Sequence, residues 1–147
     1  MDENAPLTGK CILLVEDEVS IVGHLEELLG TLGYREIFFA SNLADAEQIA
    51  QTENLDVAIL DVNLGNGDQT VELGRSLARK GVRILFMSGF NAQDMARATR
   101  GFEFVEKPLS LPRLKAALQR AFVRRPLNLR SRPDAAQKAT VSADRTS

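Results

Sequence analysis

Five short apolar runs punctuate the chain: CILLVE (11–16), EIFFA (36–40), DVAIL (56–60), RILFMS (83–88) and FEFVE (102–106). Three are almost unbroken, without polar alternation, which is how strands covered on both faces read. The segments between them carry a helical period. EVSIVGHLEELLGTLG (18–33) puts Val19, Val22, Leu25, Leu28, Leu29 and Leu32 on one side and stops at Gly33, a glycine suited to a C-cap. SNLADAEQIAQTEN (41–54) opens with Ser41 or Asn42 as N-cap. GDQTVELGRSLARKG (67–81) carries Val71, Leu73 and Leu77 and ends on a basic turn followed by Gly81. NAQDMARATRG (91–101) is short and weakly apolar. SLPRLKAALQRAFVRR (110–125) has Ser110 as cap, Pro112 in its first turn and a stripe of Leu114, Ala117, Leu118, Ala121 and Phe122. Strands alternating with helices predict an α/β fold: a doubly wound five-stranded parallel sheet with right-handed crossovers.

The pattern fails after Arg125. Residues 126–147 are polar, contain two prolines and are expected to be disordered. The expected organisation is a tail at 1–9, one domain at 10–125 and a second tail at 126–147. A chain of 147 residues suits a single domain with its own core. The one cysteine, Cys11, excludes an intramolecular disulfide and, inside an apolar run, reads as a buried thiol. There is no run of about 18 apolar residues, so nothing is expected to span a membrane. The acidic start has no signal-peptide core, which leaves a soluble cytoplasmic protein as the expectation. The net charge of −2 is too balanced to argue for nucleic acid.

The polar residues collect where strands end. The first strand ends in Glu16-Asp17, the third in Asp61 and the fourth in Ser88; Lys107-Pro108 follows the fifth. In open parallel sheets ligands bind outside the carboxyl ends of the strands. If the first and third strands are neighbours, three carboxylates meet in one pocket. They repel, and each raises the others' proton affinity. A hard divalent cation such as Mg²⁺ resolves this with carboxylate and phosphate oxygens as ligands. A carboxylate can also attack phosphorus to give an aspartyl phosphate. Such transfer needs positioning and charge neutralisation, which Lys107 and the Ser88 hydroxyl can supply.

The motifs LLVEDE, ILDVNL, FMSGF and FVEKPL, each at a strand end, together resemble the receiver domains of two-component response regulators. The resemblance covers residues 10–125. It implies a flavodoxin-like (βα)5 fold with strand order 2-1-3-4-5. It implies that Asp61 is the phosphoacceptor, phosphorylated by a histidine kinase or histidine phosphotransfer protein. It implies that Mg²⁺ (or Mn²⁺) is held by Asp17, Asp61 and the backbone carbonyl of Asn63, with Glu16 acting through water. Ser88 takes the switch hydroxyl position, Lys107 the phosphoryl-binding position and Phe104 the aromatic switch position. The Lys107–Pro108 peptide is expected to be cis. The fourth helix, fifth strand and last helix form the face that docks a downstream protein or a second copy. Three positions depart from the family pattern. Gly65 stands where the family usually has proline, which predicts a looser loop. Ser88 stands where threonine is also common. Phe104 lacks the hydroxyl of the frequent tyrosine.

Other readings are weaker. A phosphatase with a strand-end Asp nucleophile usually needs a second acid two residues on, and that position is Asn63. The chain is therefore expected to be a phosphoacceptor and not a dedicated enzyme. A phosphorylation-independent binding module with a receiver fold predicts a broken acidic pair or a missing lysine, and neither is seen. His24 reads as a surface or boundary residue, and Asp17 could instead cap the first helix. Arg120, Arg124, Arg125, Arg130 and Arg132 form a basic cluster, which reads as a solvated helix end and tail more readily than as a nucleic-acid contact. The last ~22 residues are too few for an output domain, which predicts a stand-alone regulator.

Overall fold

The computed structural model describes residues 7–65, 67–89, 97 and 99–123. Within them lie five strands, β1 Cys11–Val15, β2 Glu36–Ala40, β3 Val57–Asp61, β4 Arg83–Ser88 and β5 Glu103–Glu106. The helices described are α1 Val19–Gly30, α2 Leu43–Thr52, α3 Val71–Arg79 and a final helix, Leu111–Val123. The strands form one parallel sheet in the order β2-β1-β3-β4-β5. The helix expected at 91–101 falls largely outside the described residues, as do the tail at 126–147 and Arg124, Arg125, Arg130 and Arg132. Among the described residues no helix is long and apolar enough to cross a membrane.

Side-chain alternation along each strand divides the core in two. Leu13, Val15, Ala58, Leu60, Ile84 and Phe86 face α2 and α3, where Ala46, Ala50, Leu73 and Leu77 cover them. Ile12, Leu14, Val57, Ile59, Leu85 and Met87 face α1 and the final helix, against Leu25, Leu29, Leu114 and Leu118. Unbroken apolar runs are therefore needed in the middle of the sheet. β3 is buried at all five positions. Edge strand β2 is only half buried, and Phe39 is 41% exposed.

The structure departs from the sequence pattern at four places. Helix α1 ends at Gly30 and is capped by Thr31, three residues before Gly33. Its last turn tightens, with Thr31 N–H donating to Leu28 O (3.2 Å) and Leu32 N–H to Leu29 O (2.9 Å), so that Leu32 turns back into the core. Val19, at the start of the apolar stripe, is the first residue of α1 and is 86% exposed. Leu7 falls in the segment expected to be a tail, yet it is fully buried and its amide donates to Leu32 O. Cys11, expected to be buried, is partly exposed because it opens its strand.

Helix α3 approaches the sheet most closely at Gly74, where a Cβ would lie 2.5 Å from Phe86 Cζ and 3.3 Å from Leu60 Cδ1. Both neighbours are fully buried and have nowhere to move. Gly74→Ala gains about 1 kcal/mol of helix propensity but overpacks this contact by more. The expected net result is a loss of about 1–2 kcal/mol of stability, read as a lower urea midpoint at unchanged slope.

Candidate functional site

Three strand ends build one acidic pocket. Val15 closes the ladder between β1 and β3 opposite Leu60, which delivers Glu16 and Asp17 beside Asp61. One oxygen from each of Glu16, Asp17 and Asp61 lies within 4.8 Å of the others. Lys107 enters from the far side of β4. Its amide donates to Ser88 O (2.9 Å), and its ammonium donates to Glu16 Oε1 (3.0 Å) and Asp61 Oδ2 (3.2 Å). The Lys107–Pro108 peptide is cis. The pocket has a volume of about 470 Å³ and is lined by Asp17, Asp61, Asn63, Gly65, Ser88 and Lys107, among others.

The two acids of the first strand end are unlike each other. Glu16 is buried behind Lys107, and its second oxygen accepts from Glu18 N–H (3.1 Å). Asp17 is exposed at the mouth. Burial holds the Glu16 carboxyl above its usual range, and the Asp61 charge pushes the same way, against the Lys107 hydrogen bond. Asp61 is likewise raised, first by burial, with Lys107 and the Asn63 backbone N–H opposing and the Asp17 charge adding. Burial alone would lower Lys107, but its two carboxylate partners outweigh this and hold it above its usual value. Three clustered carboxylates with one ammonium between two of them leave unbalanced negative charge. That donor set fits a hard divalent cation.

The loop after Asp61 is closed by hydrogen bonds, in contrast to the loose loop expected from the missing proline. Asn63 and Gln69 form an antiparallel bridge, with Gln69 Nε2 donating to Asn63 Oδ1 (3.2 Å). Leu64 N–H donates to Asp68 O and Gly67 N–H to Leu64 O. Val62 and Leu64 are buried and anchor the loop from within. Gly65 N–H donates to Asp17 Oδ2 at 2.7 Å. A proline has no N–H to give, and a Cβ on this residue would collide with Asp17 Oδ2. Asp17 is therefore tied to the loop and does not cap α1, whose N-cap is Glu18 without a side-chain bond.

Of the other residues singled out by sequence, Ser88 is buried and lines the pocket. Phe104 lies apart from it, half-buried against the α2–α3 face and paired with Phe86 in the sheet. His24 is exposed, with Nε2 2.9 Å from Leu109 O. Arg120 pairs with the buried Glu103 (2.8 Å), so it is not simply part of a solvated basic cluster. Two site residues escaped the sequence reading. Gly65 registered only as a missing proline. Thr70 belongs to none of the four motifs, yet its hydroxyl donates to the Asp61 carbonyl (2.8 Å).

Known proteins share this fold. The family model of the response regulator receiver domain matches residues 12–119, and the chain belongs to that family. It is similar to the transcriptional regulatory protein YvrH of Bacillus subtilis (strain 168), at 28% identity over 118 residues that cover 76% of this chain and 50% of that protein. The chain thus spans about half the length of that curated relative. It is similar to the solution structure of SdrG from Sphingomonas melonis Fr1, with 28% identity, a TM-score of 0.69, and coverage of 80% of this chain and 98% of that one. The CheY-like receiver domain from Methylobacillus flagellatus has 26% identity and a TM-score of 0.66, covering 78% and 99% of the two chains. Receiver domains belong to two-component signalling, where they meet kinase or phosphotransfer partners.

Because Asp61 has a raised carboxyl pKa when folded, the folded state binds more protons than the unfolded one as pH rises past the unfolded value. Ionised Asp61 therefore lowers stability above that range. In EDTA at neutral pH, Asp61→Asn is expected to melt higher than wild type, and the gap should close as pH falls towards about 4. Added Mg²⁺ should raise wild type more than the variant; thermal unfolding in the two buffers checks both. Gly65→Ala drives a Cβ into the Asp17 carboxylate, which is the exposed end of its side chain and can swing away once the Gly65 bond is lost. The expected result is a folded protein with about tenfold weaker Mn²⁺ affinity, measured by electron paramagnetic resonance.

Proposed function

We propose that this receiver is a phosphoacceptor switched by phosphorylation of Asp61. The observation that carries this reading is the Lys107 ammonium, shared between Glu16 and the acceptor carboxylate at the meeting of three strand ends. The donor is a phosphohistidine on a histidine kinase or histidine phosphotransfer protein. Asp61 Oδ attacks phosphorus, the P–O bond forms as the P–N bond breaks, and the freed imidazole nitrogen takes up a proton. Asp17, Asp61 and the Asn63 carbonyl would hold Mg²⁺ (or Mn²⁺), with Glu16 acting through water; the bound ion supplies positive charge for the phosphoryl oxygens.

The protein's own groups do the rest by position. Lys107 lies within 3.2 Å of the acceptor oxygen and can neutralise charge on a phosphoryl group there. Ser88, buried at the end of β4, can donate its hydroxyl to another phosphoryl oxygen. Phosphorylation adds charge to a pocket that already has too much of one sign. Lys107 and Ser88 then close on the new group and draw with them the strands they end. The face re-biased in this way comprises β5, the final helix and residues 91–100, most of which lie outside the described residues. It docks a downstream protein or a second copy of the chain. The chain assists its own phosphoryl transfer and dephosphorylation and acts as a signalling acceptor, not as a dedicated enzyme.

Amide NMR of wild type and Asp61→Ala in Mg²⁺, before and after adding beryllofluoride as a phosphoryl mimic, tests this. Wild type is expected to shift at Ser88, Lys107, β5 and the final helix, while the variant stays still. A wild type that binds Mg²⁺ yet ignores the mimic would replace this reading with a phosphorylation-independent binding module.

A further inference from the structure

We propose that Thr70 is a positioning residue for the acceptor: its hydroxyl fixes the main chain of Asp61 and thereby sets where the carboxylate sits against Lys107. The inference rests on the reading of Asp61 as phosphoacceptor.

Thr70 is fully buried, and its Oγ1–H donates to Asp61 O at 2.8 Å. It occupies the N-cap position of α3, where a threonine ordinarily turns its hydroxyl to an amide of the first turn. Here no side-chain cap bond forms. The hydroxyl is used on the acceptor in its place. The need for it follows from the sheet. The ladder between β1 and β3 stops at Val15 and Leu60, one residue short of Asp61. On the other side, Val62 N–H donates to Met87 O (2.9 Å) and holds the strand to β4. Thr70 N–H also donates to Val62 O (3.1 Å). The acceptor backbone is thus pinned from β4 and from Thr70. The carboxylate reaches Lys107 through only two side-chain torsions, so a shift of the Asp61 main chain passes directly to the 3.2 Å contact. Valine would fill the same space and leave the Asp61 carbonyl without its donor.

The test measures beryllofluoride binding in Mg²⁺, by amide NMR titration, for wild type, Thr70→Val, Thr70→Ser and Thr70→Cys. Thr70→Val is expected to bind about tenfold more weakly, and Thr70→Ser, which keeps the hydroxyl, to stay within about threefold of wild type. Should Thr70→Val fail to fold, the serine and cysteine variants decide, since they differ by one atom and the thiol is a weak donor. Cysteine binding more weakly than serine supports the proposal. Equal binding in all folded variants, or a serine variant as weak as valine, overturns it and leaves the acceptor reading standing. A wild type that does not bind the mimic removes the acceptor reading itself, and the proposal with it.

Discussion

One ammonium between two buried carboxylates constrains the rest of this molecule. Lys107 bonds Glu16 from the end of β1 and Asp61 from the end of β3, while its own backbone extends β5. These three strands can meet at one point only if β1 and β3 are neighbours and the Lys107 side chain passes across the end of β4. The strand order supplies the first condition. The second is met beside Gly89, where even a Cβ would make only an ordinary contact, 3.9 Å from Lys107 Cε. Buried ion pairs seldom add net stability, because desolvation offsets the attraction. With both acids raised in pKa by burial, this cluster is better explained by chemistry than by folding energy.

The two-faced core makes the site possible. Because β1 and β3 are covered on both sides, their central residues are all apolar, and polarity can begin only where the strands run out of cover. That boundary falls at Glu16 on β1, Asp61 on β3 and Ser88 on β4, all at the same edge because the strands are parallel and in register. Helix α1 begins three residues after Glu16, so its first turn forms part of the pocket wall through Glu18 and Ile21.

The strands and the strand-end residues were legible in the sequence for this reason. An apolar run that stops at a carboxylate marks a strand end, and the recurrence of that pattern marks a shared edge. What was not legible depends on contacts between residues far apart or on main-chain bonds. Leu7 looks like part of a polar tail, and only its fit against Leu32 places it in the core. Arg120 looks like one of several solvated cations until β5 brings Glu103 beside it. Thr70 is an ordinary helix-start residue by composition, and its bond to Asp61 spans nine positions. Phe104 packs on the face of the sheet that α2 and α3 cover, next to Phe86 across the ladder, a placement that only the strand register reveals.

Gly65 shows how a departure from a family pattern can be misread from sequence alone. Proline stiffens a loop by fixing φ, and its loss reads as slack. Yet proline also removes a donor, and the donor is what this loop uses. The Gly65 amide holds Asp17, and the absent Cβ leaves room for the carboxylate to approach. The loop is held by other contacts: the Asn63–Gln69 bridge, two short backbone bonds and the buried anchors Val62 and Leu64. The result is a loop tied at one end to the acceptor through Thr70 and at its centre to an exposed acid of the pocket. The Asp17 carboxylate and the Asp61 main chain therefore hold the described part of this loop at two points. In a loop held by proline, the link to Asp17 could not exist.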